Sequence, residues 1–122
     1  MNYTDITVDY VDHMGTDLSV VNAARVSFDK ESSFVDGSLT TEDQKLISYL
    51  AKHEHWSPFA HTSVQLRIKA PIFVARQLVK HQVGGVWNEV SRRYVSSEVE
   101  FFKPTIWRGK PENAKQGSTG VF

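Results

Sequence analysis

The stretch Ser63-Val64-Gln65-Leu66-Arg67-Ile68-Lys69-Ala70-Pro71-Ile72-Phe73-Val74-Ala75-Arg76-Gln77-Leu78 decides the fold class. In its first half Val64, Leu66, Ile68 and Ala70 alternate with Ser63, Gln65, Arg67 and Lys69. A period of two marks a strand with one apolar face, and here the other face is basic. Pro71 follows, and proline is tolerated in the first turn of a helix, where no N–H is needed. Ile72, Phe73, Ala75, Leu78 and Val79 then give one apolar helical face. Arg76, Gln77, Lys80 and His81 share one polar arc at ~100° per residue. The spacing therefore predicts a helix that runs from Pro71 until the Gly84-Gly85 pair stops it.

Nearer the N-terminus, Ile6, Val8 and Tyr10 alternate with Thr7 and Asp9, which predicts a second strand with one buried face. Thr16 and Asp17 are helix-capping residues, and Leu18, Val21 and Ala24 follow at helical spacing, so a short helix over about 17–26 is expected. Residues 29–40 are polar, contain Asp36-Gly37 and read as a loop. Thr41 and Gln44 fit a capping box for a helix with Leu46, Ile47 and Leu50 on one face, ending near His53. Residues 53–61 read as a loop because Pro58 disfavours the helical region for Ser57. Residues 107–122 are rich in Gly, Pro, Lys and Ser, without periodicity, and read as a loop. Strands and helices interleaved in this way predict an α+β fold, a mixed sheet flanked by helices, in a single domain spanning 1–122.

The chain has 122 residues, with 14 basic and 14 acidic side chains. The neutral sum hides an asymmetry: residues 1–60 hold four basic and ten acidic residues, and residues 61–122 hold ten basic and four acidic. Such a chain is not a generic polycation for nucleic acid, yet its second half could face an anion. Cysteine is absent, which excludes disulfides, zinc–thiolate sites and thiol nucleophiles. No apolar run approaches the ~20 residues of a membrane span, and the acidic N-terminus is unlike a signal peptide. A cytoplasmic location without membrane contact is expected, in the host cytoplasm if the source is a virus. There is no phosphate-binding glycine motif and no nucleophile elbow.

Reactive side chains are densest between Arg76 and Tyr94. Arg76, Lys80, Arg92 and Arg93 are opposed by the single acid Glu89 and accompanied by Gln77, His81, Gln82, Asn88 and Ser91. Forked guanidinium donors and a point ammonium charge suit a phosphate, and the neutral polar groups suit a ring. A solvated basic face is the plain alternative. His53, His55 and His61 form a second cluster, but no Asp or Cys completes a ligand set, so no metal is expected.

The sequence resembles the flavin-dependent thymidylate synthases (ThyX). The resemblance rests on Ala23-Ala24-Arg25-Val26-Ser27-Phe28-Asp29, on residues 52–77, and on Asn88-Glu89-Val90-Ser91-Arg92-Arg93-Tyr94. The family's Arg-His-Arg motif reads Lys80-His81-Gln82 here, and eight residues separate Gln82 from Ser91, one more than usual. Asn-Glu-x-Ser-x-Arg-Tyr is intact. The resemblance runs from about Val11 to Tyr94.

The resemblance implies methylation of dUMP to dTMP, with methylenetetrahydrofolate as carbon donor and NADPH-reduced FAD as hydride source. No cysteine attacks the ring in this family, in keeping with this composition, whereas the other class of thymidylate synthase needs one. It further implies that Arg76, Gln77, Lys80, Glu89, Val90, Ser91, Arg92 and Arg93 line the dUMP site. Ser57, Lys80, His81, Gln82 and Glu89 are implied at FAD, with His55 near flavin and folate and Ser27 a weaker match. A homotetramer with sites between subunits is implied. The family arginine that ionises the pyrimidine N3 has no counterpart in the sequence, so no catalytic residue is assigned. Family members are longer, so a fragment, a degraded copy, or one piece of a split gene with a separately encoded C-terminal half is expected. The rival readings are a non-catalytic nucleotide- or flavin-binding or oligomerising homologue and, more remotely, a small nucleic-acid-binding domain.

Overall fold

The computed structural model describes residues 1–122 and is α+β, as the strand–helix alternation predicts. The chain forms two compact units, one of residues 8–67 and one of residues 1–7 with 68–122.

β2 (Thr7–Met14) and β3 (Ser63–Lys69) pair in a two-stranded ribbon, of which residues 8–14 and 63–67 belong to the first unit, while β1 (Asn2–Tyr3) belongs to the other. The expected buried face is not realised: every residue of β2 and β3 is exposed, including Val8, Tyr10, Val64 and Leu66. A ribbon of two strands has no neighbouring layer of its own with which to bury a face.

The packed part of this unit is helical. α1 (Asp17–Arg25) starts at Thr16, whose N–H donates to Ser19 Oγ at 3.0 Å. α2 (Thr41–Lys52) is capped one residue earlier than the Thr41–Gln44 pattern suggests. Thr40 is extended, and its Oγ1 accepts from Asp43 N at 3.1 Å. Thr41 is already helical and cannot cap, since an N-cap residue must sit outside the helical region. Val20 and Val21 of α1 and Leu50 of α2 are buried, each contributing about 1.5–3 kcal/mol. Within the loop before α2, Val35 and Ser38 exchange backbone hydrogen bonds around Asp36 and Gly37, both at positive φ. Asp-Gly is a favoured pair for this mirror-image turn.

In the second unit, β1 pairs in parallel with β4 (Glu100–Phe101), Asn2 facing Glu100 and Tyr3 facing Phe101. Lys69 Nζ reaches Glu100 Oε2 at 2.8 Å. Phe73 and Phe102 pack with ring centroids 6.2 Å apart. α3 covers only Ile72–Leu78, with Pro71 as its extended N-cap instead of its first helical residue. It ends well before Gly84. Lys80 N donates to Gln77 O and His81 N to Leu78 O, bonds of three-residue spacing that tighten the chain into a turn. Lys80 and His81 therefore leave the arc shared by Arg76 and Gln77. The tail is not a plain loop: β5 (Arg108–Gly109) and β6 (Thr119–Val121) pair antiparallel. Strands of two and three residues are too short to show a sequence period.

Candidate functional site

The first unit carries a concave cleft of about 720 Å³. One wall is the end of α1 and the 3₁₀ turn Val26–Phe28, bringing Ser27 and Phe28. The other is the last half of α2 with the loop after it, bringing Tyr49, His55, Trp56 and Ser57. The loop leaves the helix through a specific C-terminal turn. His55 N donates to Leu50 O at 2.9 Å and Glu54 N to Ala51 O at 3.2 Å, while Glu54 sits at φ +57°. This pair of bonds around a left-handed residue is the Schellman arrangement. It reverses the chain so that residues 54–58 face back along α2. Buried Pro58 and the Phe59 N to Trp56 O bond fix the loop's far end.

Tyr49 organises the histidines. His53 stacks on it with centroids 4.1 Å apart and planes at 29°, and His55 meets its ring edge-on at 6.0 Å. His53 Nδ1 lies 2.9 Å from the Tyr49 carbonyl oxygen, which occupies that ring. Sequence reasoning missed Tyr49. Its four-residue spacing from His53 on a helix was the available signal. Exposed Tyr49 and Trp56 line the same cleft as Ser27, His55 and Ser57, so aromatic rings, hydroxyls and an imidazole share one concave surface. That donor set suits a planar heteroaromatic ring with polar edges.

Behind the cleft, Arg25 and Asp43 form an ion pair with Nη2 to Oδ1 at 2.8 Å. The hydrogen bond from Arg25 holds the Asp43 carboxyl below the usual carboxylate range, against desolvation and with help from Thr40 and Ser32. The same bond raises Arg25 above its usual value.

The second unit carries the basic segment. Arg76 and Gln77 lie at the end of α3, and Lys80, His81 and Gln82 in the turn after it. Gly84 at φ +72° continues the turn, closed by Gly85 N to Gln82 O at 3.2 Å. Trp87 Nε1 donates to the His81 carbonyl at 3.3 Å, across Gly85. A Cβ on Gly85 would stand 2.8 Å from that carbonyl, so only glycine admits this closure. Ser91 begins a second turn: Tyr94 N donates to Ser91 O at 3.0 Å, and Arg93 N reaches Ser91 Oγ at 3.3 Å. Arg92 donates through Nη1 to the Ser97 carbonyl, and the Arg93 guanidinium lies 5.9 Å from the Tyr94 ring centroid. Glu89 and Val90 are exposed between the turns. None of Arg76, Lys80, Arg92 and Arg93 is in an ion pair, and Glu89 neutralises neither arginine. Their charge remains available to an external anion.

The candidate residues thus fall into two groups, each held within its own unit: Ser27, His55 and Ser57 in the cleft, and Arg76 to Arg93 on the basic turns. A family model described as "Thymidylate synthase complementing protein" (Thy1) matches residues 9–119. The chain belongs to this family. The match continues beyond Tyr94, where the legible motifs stop. Among curated family members, the flavin-dependent thymidylate synthase of Thermus thermophilus is 42% identical over 115 residues, covering 94% of this chain and 40% of the relative. That of Thermotoga neapolitana is 45% identical over 101 residues, covering 83% of this chain and 44% of the relative. The chain therefore spans less than half the length of these relatives. The structure resembles a UMP/dUMP methylase, PolB from Streptomyces cacaoi, solved with 5-Br dUMP. The TM-score is 0.76 at 35% identity, over 98% of this chain and 52% of PolB. No helix of this family member is long and apolar enough to cross a membrane.

Proposed function

We propose that the chain supplies nucleotide- and flavin-binding elements of a thymidylate synthase that methylates dUMP to dTMP. In this reading methylenetetrahydrofolate is the carbon donor and NADPH the reductant, and bound FAD supplies the hydride. The observation that carries it is the set of cations at Arg76, Lys80, Arg92 and Arg93, free of internal ion pairs and interleaved with Gln77, Glu89, Val90 and Ser91. A nucleotide phosphate gains charge-assisted bonds from such arginines, and a pyrimidine edge is read by neutral donors and acceptors. Family membership and the dUMP-analogue ligand of PolB support this choice of anion.

FAD is assigned to Ser27, His55 and Ser57 in the cleft and to Lys80, His81, Gln82 and Glu89 on the basic turns. The cleft's aromatic wall fits a flat ring, and its hydroxyls fit the ring's polar edge. Homotetramer assembly, with cations of one subunit meeting ligand held by another, belongs to the same proposal. The uncovered apolar residues of β2 and β3 support association, because monomers seldom leave such surface open.

Titrating FAD into the purified protein, then adding dUMP, tests the reading. Flavin fluorescence should be quenched on binding, and dUMP should perturb the flavin absorption band. Folded protein that takes up neither ligand would refute it.

A further inference from the structure

Asp43 is the one charged side chain that is buried, at 1% exposure, and it does not line the cleft. Burying a carboxylate is expensive, and an apolar replacement often serves stability as well, so its placement needs a reason beyond packing. Its contacts supply one. Oδ1 accepts from Arg25 Nη2 at 2.8 Å, Arg25 Nε at 3.2 Å and Ser32 Oγ at 3.0 Å. Oδ2 accepts from Thr40 Oγ1 at 2.9 Å. Asn22 of α1 adds two bonds to the Ser32 backbone, at 2.7 and 3.1 Å. Three segments thus converge on one carboxylate: the last turn of α1, the loop 29–40 and the first turn of α2.

Arg25 is the hinge of this arrangement. It ends α1, it is the N-cap of the 3₁₀ turn that carries Ser27, and it lines the cleft from behind. Rotation of that turn against α2 would move Ser27 and Phe28 away from His55 and Ser57 across the cleft. The fork on Asp43 opposes that rotation, because two donors of one rigid guanidinium are held at once. We infer that Asp43 is a positioning residue which, through Arg25, sets the cleft's width and hence its affinity for a planar cofactor. This rests on the reading above that the cleft takes the flavin.

The test compares wild type, Asp43→Asn and the milder Ser32→Ala for FAD affinity, dUMP affinity, flavin band shape and urea stability. Asp43→Asn should weaken FAD about tenfold, equivalent to ~1.4 kcal/mol, and leave dUMP within about twofold. Ser32→Ala should fold like wild type and weaken FAD by about threefold, in proportion to one lost bond. The flavin band of both variants should shift toward that of free FAD. Flavin affinity unchanged in both folded variants overturns the inference. So does equal weakening of FAD and dUMP, which marks Asp43 as a fold-maintaining group only. If wild type binds no flavin, the reading of the cleft itself fails and this inference with it.

Discussion

Arg25 directs two nitrogens of its guanidinium, Nη2 at 2.8 Å and Nε at 3.2 Å, at a single oxygen of Asp43. The pair joins the end of α1 to the start of α2, and everything on the first unit's cleft depends on those two helices. Glu42 also reaches Arg25, at 3.3 Å, but from a solvent-exposed position where an ion pair adds little. Removing one member of the inner pair leaves the other charge without its partner. Asp43→Ala should therefore lower unfolding stability by about 3 kcal/mol, and Glu42→Ala by less than about 1 kcal/mol. Urea denaturation of the two variants checks the difference.

Acid should act through the same carboxyl. The folded-state pKa of Asp43 is lowered, so the unfolded chain binds more protons between the two values. Its contribution is fully present above the unfolded value of about 4 and is lost as pH falls through the folded one. Urea midpoints measured downward from neutral pH should fall in that window more steeply for wild type than for Asp43→Asn. Arg25, raised from an already high value, adds no slope there.

Glu54 occupies a left-handed position at φ +57°, where a side chain is disfavoured by roughly 1 kcal/mol. Glu54→Gly should raise stability, by up to about 1 kcal/mol, because glycine adopts this conformation without strain. Thermal unfolding measures it. A loss of stability would mean that the Glu54 side chain contributes something its exposed position does not suggest.

The adjacent glycines of the basic turn should behave differently. Gly84 is at φ +72° with open space around it, so Gly84→Ala should cost about 1–2 kcal/mol of backbone strain. Gly85→Ala instead drives a Cβ to 2.8 Å from the His81 carbonyl and 3.0 Å from the Trp87 indole nitrogen. That change should break the Trp87–His81 bond, shift tryptophan emission and weaken dUMP binding. Gly84→Ala should leave the emission in place.

Arg76 and Arg93 have no carboxylate partners, so their removal should spare the fold and weaken the ligand. Arg76→Ala and Arg93→Ala should each reduce dUMP affinity about tenfold, the loss of a charge-assisted bond, with melting temperature nearly unchanged. Calorimetric titration at two salt concentrations should also show a shallower salt dependence for each variant.

The positive charge of the second half is concentrated on these basic turns and on the strand that precedes them. Six of the second half's ten cations lie from Arg67 to Arg93, and only Glu89 opposes them there. The strand at 63–69, the three helices, the α+β class and the concentration of cations are all legible without a structure, because each depends on local period or composition. Family membership is legible in the same way, carried by several motifs in fixed order. Tertiary structure decided what local rules leave open. Whether a strand face is buried depends on a neighbouring layer, and β2 and β3 have both faces exposed. The end of α3 was set by tightening after Leu78, which moved Lys80 and His81 off the helix. The role of Asp43 was invisible in sequence, because its partners Arg25 and Ser32 lie 18 and 11 residues away and meet it only when α1 packs on α2.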